Sequence, residues 1–377
     1  MLIAGYPYLT ESTFLALNKI FKNRVYIYDP LDYSLARTFT KYRYPEDIKT
    51  AYISCSYKPI WTRYIKIPWL ISIFLSAQKW SKAIICDVKK YNPSAIILIT
   101  DIFPSAKIID EKITDTNQYL IQPCLIDAWK REDRHLFKRK LLNKLLRLNF
   151  FHMQQYWGLE GKNNKLCLYD SEIKDFFEVK RNDIQLIESP MKRFFELKIL
   201  KNRTYKKKNE KLKVGIYPVD YRSIHGEEYQ IEFEKKYRKL CLSLSNEDLY
   251  VKIHPHDEES YWKKLLPKNI KIIKNWHKED LYLNTDIHIS TYSYSSIEAF
   301  YGGSYAINFQ PKNIEMKGSM EEIFLNNCSH YTEEIKEILE KIELYKVMSS
   351  EQKKIFISEE IKKSKNNNFL PIEEVIN

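Results

Sequence analysis

The chain has 377 residues, of which 44% are hydrophobic and 29% charged, the composition of a soluble globular protein with room for two domains. Its formal net charge of +12 favours an anionic partner, namely nucleic acid, an acidic membrane surface, a nucleotide or an acidic glycan, without choosing among them. The longest apolar run, residues 67–77, is shorter than the roughly 20 residues that cross a bilayer, and the first residues lack the charged region of a signal peptide, so we expect neither anchor nor leader.

The six cysteines stand singly, with no CxxC pair and no regular spacing. Each lies in or beside an apolar stretch, which predicts small buried side chains in a reducing compartment, with disulfides or a metal site as the alternative. We therefore expect a cytoplasmic protein. The cysteines are Cys55, Cys86, Cys124, Cys167, Cys241 and Cys328.

The first half of the chain alternates short apolar runs with segments of helical spacing. The segment 11–21 between the first two runs has apolar residues at helical intervals, and Asn92-Pro93 breaks the chain before a clean buried strand. Strand alternating with helix predicts a parallel α/β sheet. The predicted strands are 2–4, 25–28, 95–100, 118–122, 166–169 and 184–187.

A strongly basic stretch with little apolar content, residues 198–213, interrupts this pattern. We interpret it as an exposed linker, with a basic binding patch as the alternative. The alternation then restarts, and a charged helical stretch closes the chain at 320–363. In this second half the predicted strands are 214–218, 249–253, 270–273, 287–290 and 304–309, and the predicted helices are 229–244 and 296–301.

The pattern predicts two consecutive α/β units, that is, two Rossmann-like domains facing across a cleft. We place the first domain at 1–200, the linker at 201–213 and the second domain, with its terminal helices, at 214–377. Neither G-x-x-x-x-G-K-[ST] nor G-x-G-x-x-G occurs, so a P-loop NTPase and a standard dinucleotide dehydrogenase are unsupported.

Two polar loops of the second domain offer chemistry. His254 directly follows a predicted strand and precedes Pro255, whose fixed φ would hold the imidazole at the carboxyl edge of the sheet. There the imidazole could protonate or hydrogen-bond a phosphate oxygen of a leaving nucleotide. The alternative is a histidine that only caps the loop, and His256 is expected to be solvated.

The second loop carries five hydroxyls at a strand-to-helix junction, which exceeds what N-capping alone requires. A helix N-terminus binds anions through its unsatisfied N–H groups, so the loop predicts an anion site, with simple capping as the alternative. Glu298 would lie in the first turn of the helix and either cap it or accept hydrogen bonds from a ribose. Tyr217, near the end of the predicted strand 214–218, is counted with the binding residues. The hydroxyls are Ser290, Thr291, Ser293, Ser295 and Ser296, of which the last two are the strongest candidates.

Transfer chemistry also needs a carboxylate in the first domain. Asp101 ends the strand 95–100, Asp127 follows the apolar segment 120–126, and Glu160 lies in Trp157-Gly-Leu-Glu-Gly161. The alternative for each of these carboxylates is an N-cap or a loop residue bonded to backbone instead of a catalytic base.

A basic amphipathic segment spans 130–153 with tryptophans near both ends, at Trp129 and Trp157. It predicts either a helix that lies on an anionic membrane surface or an ordinary domain helix with a solvated basic face. The expected location is therefore the cytoplasm, with association with the inner face of the cell membrane as the alternative.

The sequence resembles the bacterial GT-B sialyltransferases and polysialyltransferases in three features. These are the two predicted Rossmann-like domains, His254-Pro255 after a strand, and Ser295-Ser296 about forty residues later. The likeness to capsule and teichoic-acid polymerising transferases is looser. The resemblance implies that His254 contacts the CMP phosphate and acts as general acid, and that Ser295 and Ser296 bind the phosphate or the sugar-acid carboxylate. The acidic motif that carries the base in that group has no exact copy here. Leu159-Glu160-Gly161 is the nearest fragment, and Asp127 has the more similar position.

The resemblance implies an inverting, metal-independent glycosyltransferase that moves a nonulosonic acid from a CMP donor to a bacterial surface glycan. No DxD motif is present, so no metal or other cofactor is expected beside the CMP-sugar substrate. A Kdo or glycerol-phosphate transferase is the alternative within this class. A non-catalytic nucleic-acid-binding protein is the alternative in another class, although the usual binding signatures are absent and nucleic acid is not the expected partner.

Overall fold

The computed structural model describes residues 1–4, 16–18, 20–21, 25–29, 52–54, 69–99, 104–122, 144, 158, 161–178, 181–218, 227–253, 257–274, 282–291, 293–310, 327–364 and 369–376. The chain divides into two compact units, and each has its own sheet. Unit 1 consists of Met1–Pro190 together with Asn368–Asn377, and unit 2 consists of Met191–Asn367. The division therefore falls earlier than the predicted linker, 201–213 belongs to unit 2, and the last ten residues belong to unit 1 instead of the second domain.

The described part of unit 1 contains a seven-stranded parallel sheet in the order β3-β2-β1-β4-β5-β6-β7. Strands buried on both faces are continuous apolar runs, as in β4, where all four residues are buried. The strands are β1 Leu2–Ala4, β2 Tyr26–Asp29, β3 Tyr52–Ser54, β4 Ala95–Leu98, β5 Asn117–Ile121, β6 Asn164–Leu168 and β7 Ile184–Leu186.

The helices between the strands of this sheet include α1 Trp69–Tyr91, α2 Pro104–Lys112 and α3 Lys174–Glu178, and residues 16–18 and 20, in the helix predicted at 11–21, are helical. α1 ends because Asn92 adopts a left-handed conformation, φ 42°, with its N–H bonded to the Val88 carbonyl, and Pro93 follows. A 3₁₀ turn, Ser171–Ile173, leads into α3.

The described part of unit 2 contains a six-stranded parallel sheet in the order β10-β9-β8-β11-β12-β13. Both sheets thus begin with the strand order 3-2-1-4-5-6 of a doubly wound Rossmann fold, which confirms the predicted fold of each half. The strands are β8 Lys213–Tyr217, β9 Asp248–Lys252, β10 Lys271–Ile273, β11 Ile287–Ser290, β12 Tyr305–Phe309 and β13 His330–Thr332.

The helices that follow α3 along the chain are α4 Pro190–Lys198, α5 Glu227–Ser243, α6 Glu259–Leu265, α7 Tyr294–Tyr301, α8 Ile335–Lys346, α9 Ser350–Lys363 and α10 Ile372–Ile376. A 3₁₀ turn at Leu200–Asn202 follows α4. The predicted helical stretch 320–363 is therefore broken, because β13 and two separate helices occupy its described part. α9 begins at a capping box formed by Ser349 and Gln352.

The helix α10 returns the chain to unit 1. Leu370 pairs with Ile187 beside β7, and the buried residues Ile372, Val375 and Ile376 join the core of unit 1. That core includes alternate residues of β4 and β5, which project from one face of the sheet. The C-terminal segment therefore completes the first unit and not the second.

Cysteine burial agrees with the prediction at Cys167, Cys241 and Cys328. Burial raises the pKa of each of these three thiols to about 12. The prediction is wrong at Cys86, whose side chain is exposed because it lies on the face of α1 away from the buried positions Ile84 and Val88. Cys55 and Cys124 lie outside the described residues. Among the described helices, none is both long enough and apolar enough to cross a bilayer.

Candidate functional site

The strand order of unit 2 reverses between β8 and β11, which lie side by side in the sheet. In doubly wound folds, ligands bind outside the carboxyl ends of the strands at such a reversal, so this edge of the sheet is the expected place for a ligand. Ser290 of β11 pairs with Tyr217 of β8 at this edge. The hydroxyl-rich loop follows Ser290 directly and leads into α7.

Ser293 is the N-cap of α7, with an extended backbone at φ −110° and ψ 135°. Its Oγ accepts a hydrogen bond from the Ser295 N–H at 3.3 Å and lies 2.8 Å from Ser295 Oγ. The Ser296 N–H donates to the Ser293 carbonyl at 2.9 Å. The positive end of α7, with two partly exposed hydroxyls, therefore lies at the carboxyl edge of the sheet, an arrangement suited to an anion.

The five hydroxyls of the loop have different roles. Thr291 is fully buried, lies 2.7 Å from Tyr237 Oη and donates to the Phe309 carbonyl, so it ties the loop to α5 and β12. Ser290 and Ser296 are also fully buried, whereas Ser293 and Ser295 are half-buried. Of the predicted anion-binding residues, Ser293 and Ser295 are thus open to solvent, and Ser296 lies beneath them.

His288 lies on β11 under the start of α7, and sequence reasoning assigned it no role. Its side chain is completely buried, and its Nε2 atom is 3.3 Å from Ser295 Oγ. The ring stacks on Tyr217 with centroids 3.8 Å apart. Burial lowers the pKa of His288 to about 3, so the imidazole is neutral at physiological pH.

Tyr217 does not point its hydroxyl toward the crevice. The side chain is only 6% exposed, and its hydroxyl lies 2.8 Å from that of Tyr250, which in turn lies 2.5 Å from Thr285 Oγ1. The ring crosses over Gly215, whose register partners are Tyr250 on β9 and His288 on β11. Tyr217 therefore supports His288 from below the edge of the sheet.

Glu298 lies in the second turn of α7, not in the first as the sequence predicted, because the helix begins at Tyr294. Its carboxylate is buried and accepts a hydrogen bond from the Tyr282 hydroxyl at 2.6 Å. Burial and the charge of Glu298 hold the pKa of Tyr282 well above its usual value, so the phenol remains a donor. Glu298 thus fixes α7 to the segment that precedes β11.

Several buried polar atoms at this edge have no hydrogen-bond partner among the described residues. They are Ser290 Oγ, Ser296 Oγ, His288 Nδ1 and both polar atoms of the Gln310 amide, the last at the end of β12. Buried polar atoms usually find partners, and sites that bind a ligand or ordered water are a common reason for exceptions. Their concentration around α7 agrees with a binding site. Gln310 was missed because an isolated glutamine after a strand gives no sequence signal.

The other predicted site residues lie outside the described part of the chain. His254 and Pro255 follow β9, the neighbour of β8 on the side opposite β11. Asp101 follows β4 and Asp127 follows β5, whereas Glu160 comes before β6. The basic segment 130–153 is described only at Lys144. Within the described ranges, no group of three His, Cys, Asp or Glu side chains is placed to hold a metal ion.

Comparison with known proteins agrees with this architecture. No family model matches the chain, and no curated protein is similar to it in sequence. Among solved structures, a glycosyltransferase from Rickettsia africae ESF-5 has 16% identity and a TM-score of 0.52, over 98% of this chain and 94% of its own.

Two further structures are similar over almost the whole chain. The glycosyltransferase of kitacinnamycin has 10% identity and a TM-score of 0.53, over 96% of this chain and 93% of its own. Glycosyltransferase VinC, solved in complex with dTDP, has 7% identity and a TM-score of 0.50, over 100% of this chain and 97% of its own. The chain has the GT-B fold. At these identities the likeness concerns the fold alone. The functional site of this GT-B chain has to be inferred from its own residues.

Proposed function

We propose that this protein is a glycosyltransferase that binds a nucleotide-sugar donor at the carboxyl edge of the unit 2 sheet. The observation that carries the proposal is the N-terminus of α7 with Ser293 and Ser295 at the strand-order reversal, above buried polar atoms that have no partner in the described part of the chain. A phosphate group there would receive hydrogen bonds from the two hydroxyls and be stabilised by the helix dipole. The GT-B fold and the dTDP bound to VinC support a nucleotide as the ligand.

The finer proposal is an inverting transfer of a nonulosonic acid from a CMP donor to a bacterial surface glycan. It rests on the His254-Pro255 and Ser295-Ser296 motifs of the sequence. We assign His254 to assist departure of CMP by donating a proton or hydrogen bond to a phosphate oxygen. The hydroxyls at α7 would stabilise the negative charge that develops on the departing phosphate.

Deprotonation of the acceptor hydroxyl is assigned to a carboxylate of unit 1, with Asp101, Asp127 and Glu160 as candidates. The bond that forms joins the acceptor oxygen to the anomeric carbon, and the bond that breaks joins that carbon to the CMP oxygen. The acceptor proton passes to the carboxylate. Tyr217 and Glu298, whose polar groups are engaged inside unit 2, are assigned to support the donor site instead of contacting the donor.

A thermal-shift series tests the donor class. At a ligand concentration 100 times its Kd, binding stabilises the folded protein by about 2.7 kcal/mol. CMP should therefore raise the Tm, whereas UDP, dTDP and NAD should not. If dTDP or UDP raises the Tm and CMP does not, the CMP donor is overturned and the nucleotide site is retained. If no nucleotide raises the Tm and oligonucleotides bind with steep salt dependence, the transferase proposal fails in favour of nucleic-acid binding.

A donor screen by mass spectrometry then identifies the transferred group. CMP-sialic acid, its legionaminic and pseudaminic relatives, CMP-Kdo and CDP-glycerol cover both the proposal and the Kdo or glycerol-phosphate alternative. His254→Ala should melt like the wild type and lose most turnover, and His256→Ala is the matched control that should retain it. A His254→Ala protein with lower Tm but full activity per folded molecule would reduce His254 to a structural residue.

A further inference from the structure

Beneath the hydroxyls of α7 lies a histidine that touches only one of them. His288 Nε2 is 3.3 Å from Ser295 Oγ, and Ser295 Oγ is 2.8 Å from Ser293 Oγ. His288 is fully buried, whereas both serines are half-buried. Any effect of the histidine on a ligand is therefore transmitted through Ser295.

The neighbours of His288 fix its ring plane. Tyr217 stacks on it at 3.8 Å with an interplanar angle of 26°, and the Tyr282 ring lies 6.0 Å away. The hydroxyl of Tyr217 is held by that of Tyr250 at 2.8 Å. A ring enclosed in this way cannot turn to give Ser295 its other nitrogen without disturbing the packing of β8 and β9.

The surroundings also select the tautomer. Nδ1 has no hydrogen-bond partner among the described residues and is buried. A buried N–H without a partner is rarer in proteins than a buried acceptor without one, so the proton belongs on Nε2. Nε2–H then donates to Ser295 Oγ, which fills an acceptor position of that oxygen and leaves the Ser295 proton to be donated elsewhere.

We infer that His288 is a positioning residue of the donor site, which holds Ser295 as a hydrogen-bond donor toward the phosphate of the bound nucleotide. This inference rests on the proposed function. Without ligand, the Ser295 hydroxyl is satisfied by Ser293, and with a phosphate bound it turns to the anion. The neutral imidazole sets the direction of the hydroxyl without adding a charge to the site.

Binding of CMP, measured by calorimetry, tests the inference. A hydrogen bond of this kind contributes enough that His288→Leu should weaken CMP binding about five- to tenfold, whereas His288→Gln, whose amide N–H replaces Nε2–H, should stay within about twofold of wild type. Ser295→Ala should weaken binding at least as much as His288→Leu. The double variant should bind no more weakly than Ser295→Ala alone, since both changes remove one interaction.

His330→Gln is the matched control, a histidine of the same sheet whose Nε2 lies 3.6 Å from Glu337 Oε2, and it should leave CMP binding unchanged. Additive effects of His288→Leu and Ser295→Ala, or unchanged binding by His288→Leu, would overturn the positioning role. If the wild-type protein binds no nucleotide at all, it is the proposed function that fails.

A second measurement does not depend on nucleotide binding or on whether His288→Leu folds. Long-range ¹H–¹⁵N spectra of ¹⁵N-histidine-labelled full-length protein report the tautomer of each ring, and His288→Gln assigns the signal. An Nε2–H tautomer for His288 is expected. An Nδ1–H tautomer or a charged ring at neutral pH would overturn the inference.

Discussion

The tyrosine pair under the site depends on the absence of a side chain at Gly215. A Cβ atom at this position would overlap Tyr250 Oη and lie 2.6 Å from Tyr250 Cζ and 2.8 Å from Tyr217 Cε2. Gly215→Ala must therefore push Tyr217 and Tyr250 apart, and this movement would also disturb the stacking of Tyr217 on His288. We expect this single methyl group to destabilise unit 2 strongly.

Three contributions set the size of the effect. Overpacking of a well-packed core destabilises by about 1–3 kcal/mol. Separation of two buried hydroxyls adds about 1–3 kcal/mol. The lower entropy of the unfolded chain with alanine offsets about 0.4–1 kcal/mol. The net loss is about 3 kcal/mol, which for a unit of this size lowers the Tm by about 6–12 °C.

Gly302→Ala is the matched control. Gly302 has φ −77°, and the nearest atoms to its added Cβ would be Glu298 O at 3.2 Å and Ile199 Cγ2 at 3.3 Å, so it should change stability by less than about 1 kcal/mol. Thermal unfolding followed by circular dichroism compares the two variants, and amide hydrogen exchange in the peptides of β8 and β9 locates the change. Equal Tm values for Gly215→Ala and Gly302→Ala would refute the packing account of the tyrosine pair.

Three further predictions concern stability. His288 is protonated below about pH 6.5 in the unfolded chain but only below about pH 3 in the folded chain. Acid therefore lowers the free energy of unfolding by about 1.4 kcal/mol per pH unit across that window. Urea unfolding at pH 7.5 and 5.0 should show a smaller loss of stability for His288→Gln than for wild type. Ile372→Ala should destabilise unit 1 by about 2–4 kcal/mol because the residue is buried in its core, whereas the exposed Glu374→Ala should not, and equal melting temperatures would contradict the role of α10. Ser349→Ala removes the acceptor of the Gln352 N–H and should weaken the start of α9 by about 1 kcal/mol, seen as faster amide exchange in residues 350–353 and contradicted by unchanged exchange.

Most strands of both sheets were predictable because buried parallel strands are continuous apolar runs. The strand predicted at 287–290 has the observed bounds of β11, and the one at 249–253 is shifted by a single residue. The short strands β3 and β13 were missed, since their sequences, Tyr-Ile-Ser and His-Tyr-Thr, contain at most one aliphatic residue each. The return of α10 was also missed, because a five-residue helix gains its stability only from the sheet face that it covers.

For the candidate site, the sequence indicated the loop but not the residues that pack beneath it. The density of hydroxyls after β11 indicated an anion site, and the structure places Ser293 at the N-cap with Ser295 beside it. His288 gave no signal, because its position depends on the register that sets it beside Gly215 and on the ring of Tyr217, for which this glycine leaves room. His288 lies 73 positions after Gly215 and 71 positions after Tyr217 in the sequence, and only the strand order brings these residues together.

The return of α10 to unit 1 has a consequence for the newly made chain. Unit 2 is continuous in sequence, whereas the face of the unit 1 sheet formed by residues such as Ile97 and Ile121 lacks Ile372, Val375 and Ile376 until all of unit 2 has been synthesised. At about 5–20 residues per second, unit 2 takes roughly 10 to 35 seconds to make. Unit 1, whose synthesis begins first, is therefore completed only after all of unit 2 has been made.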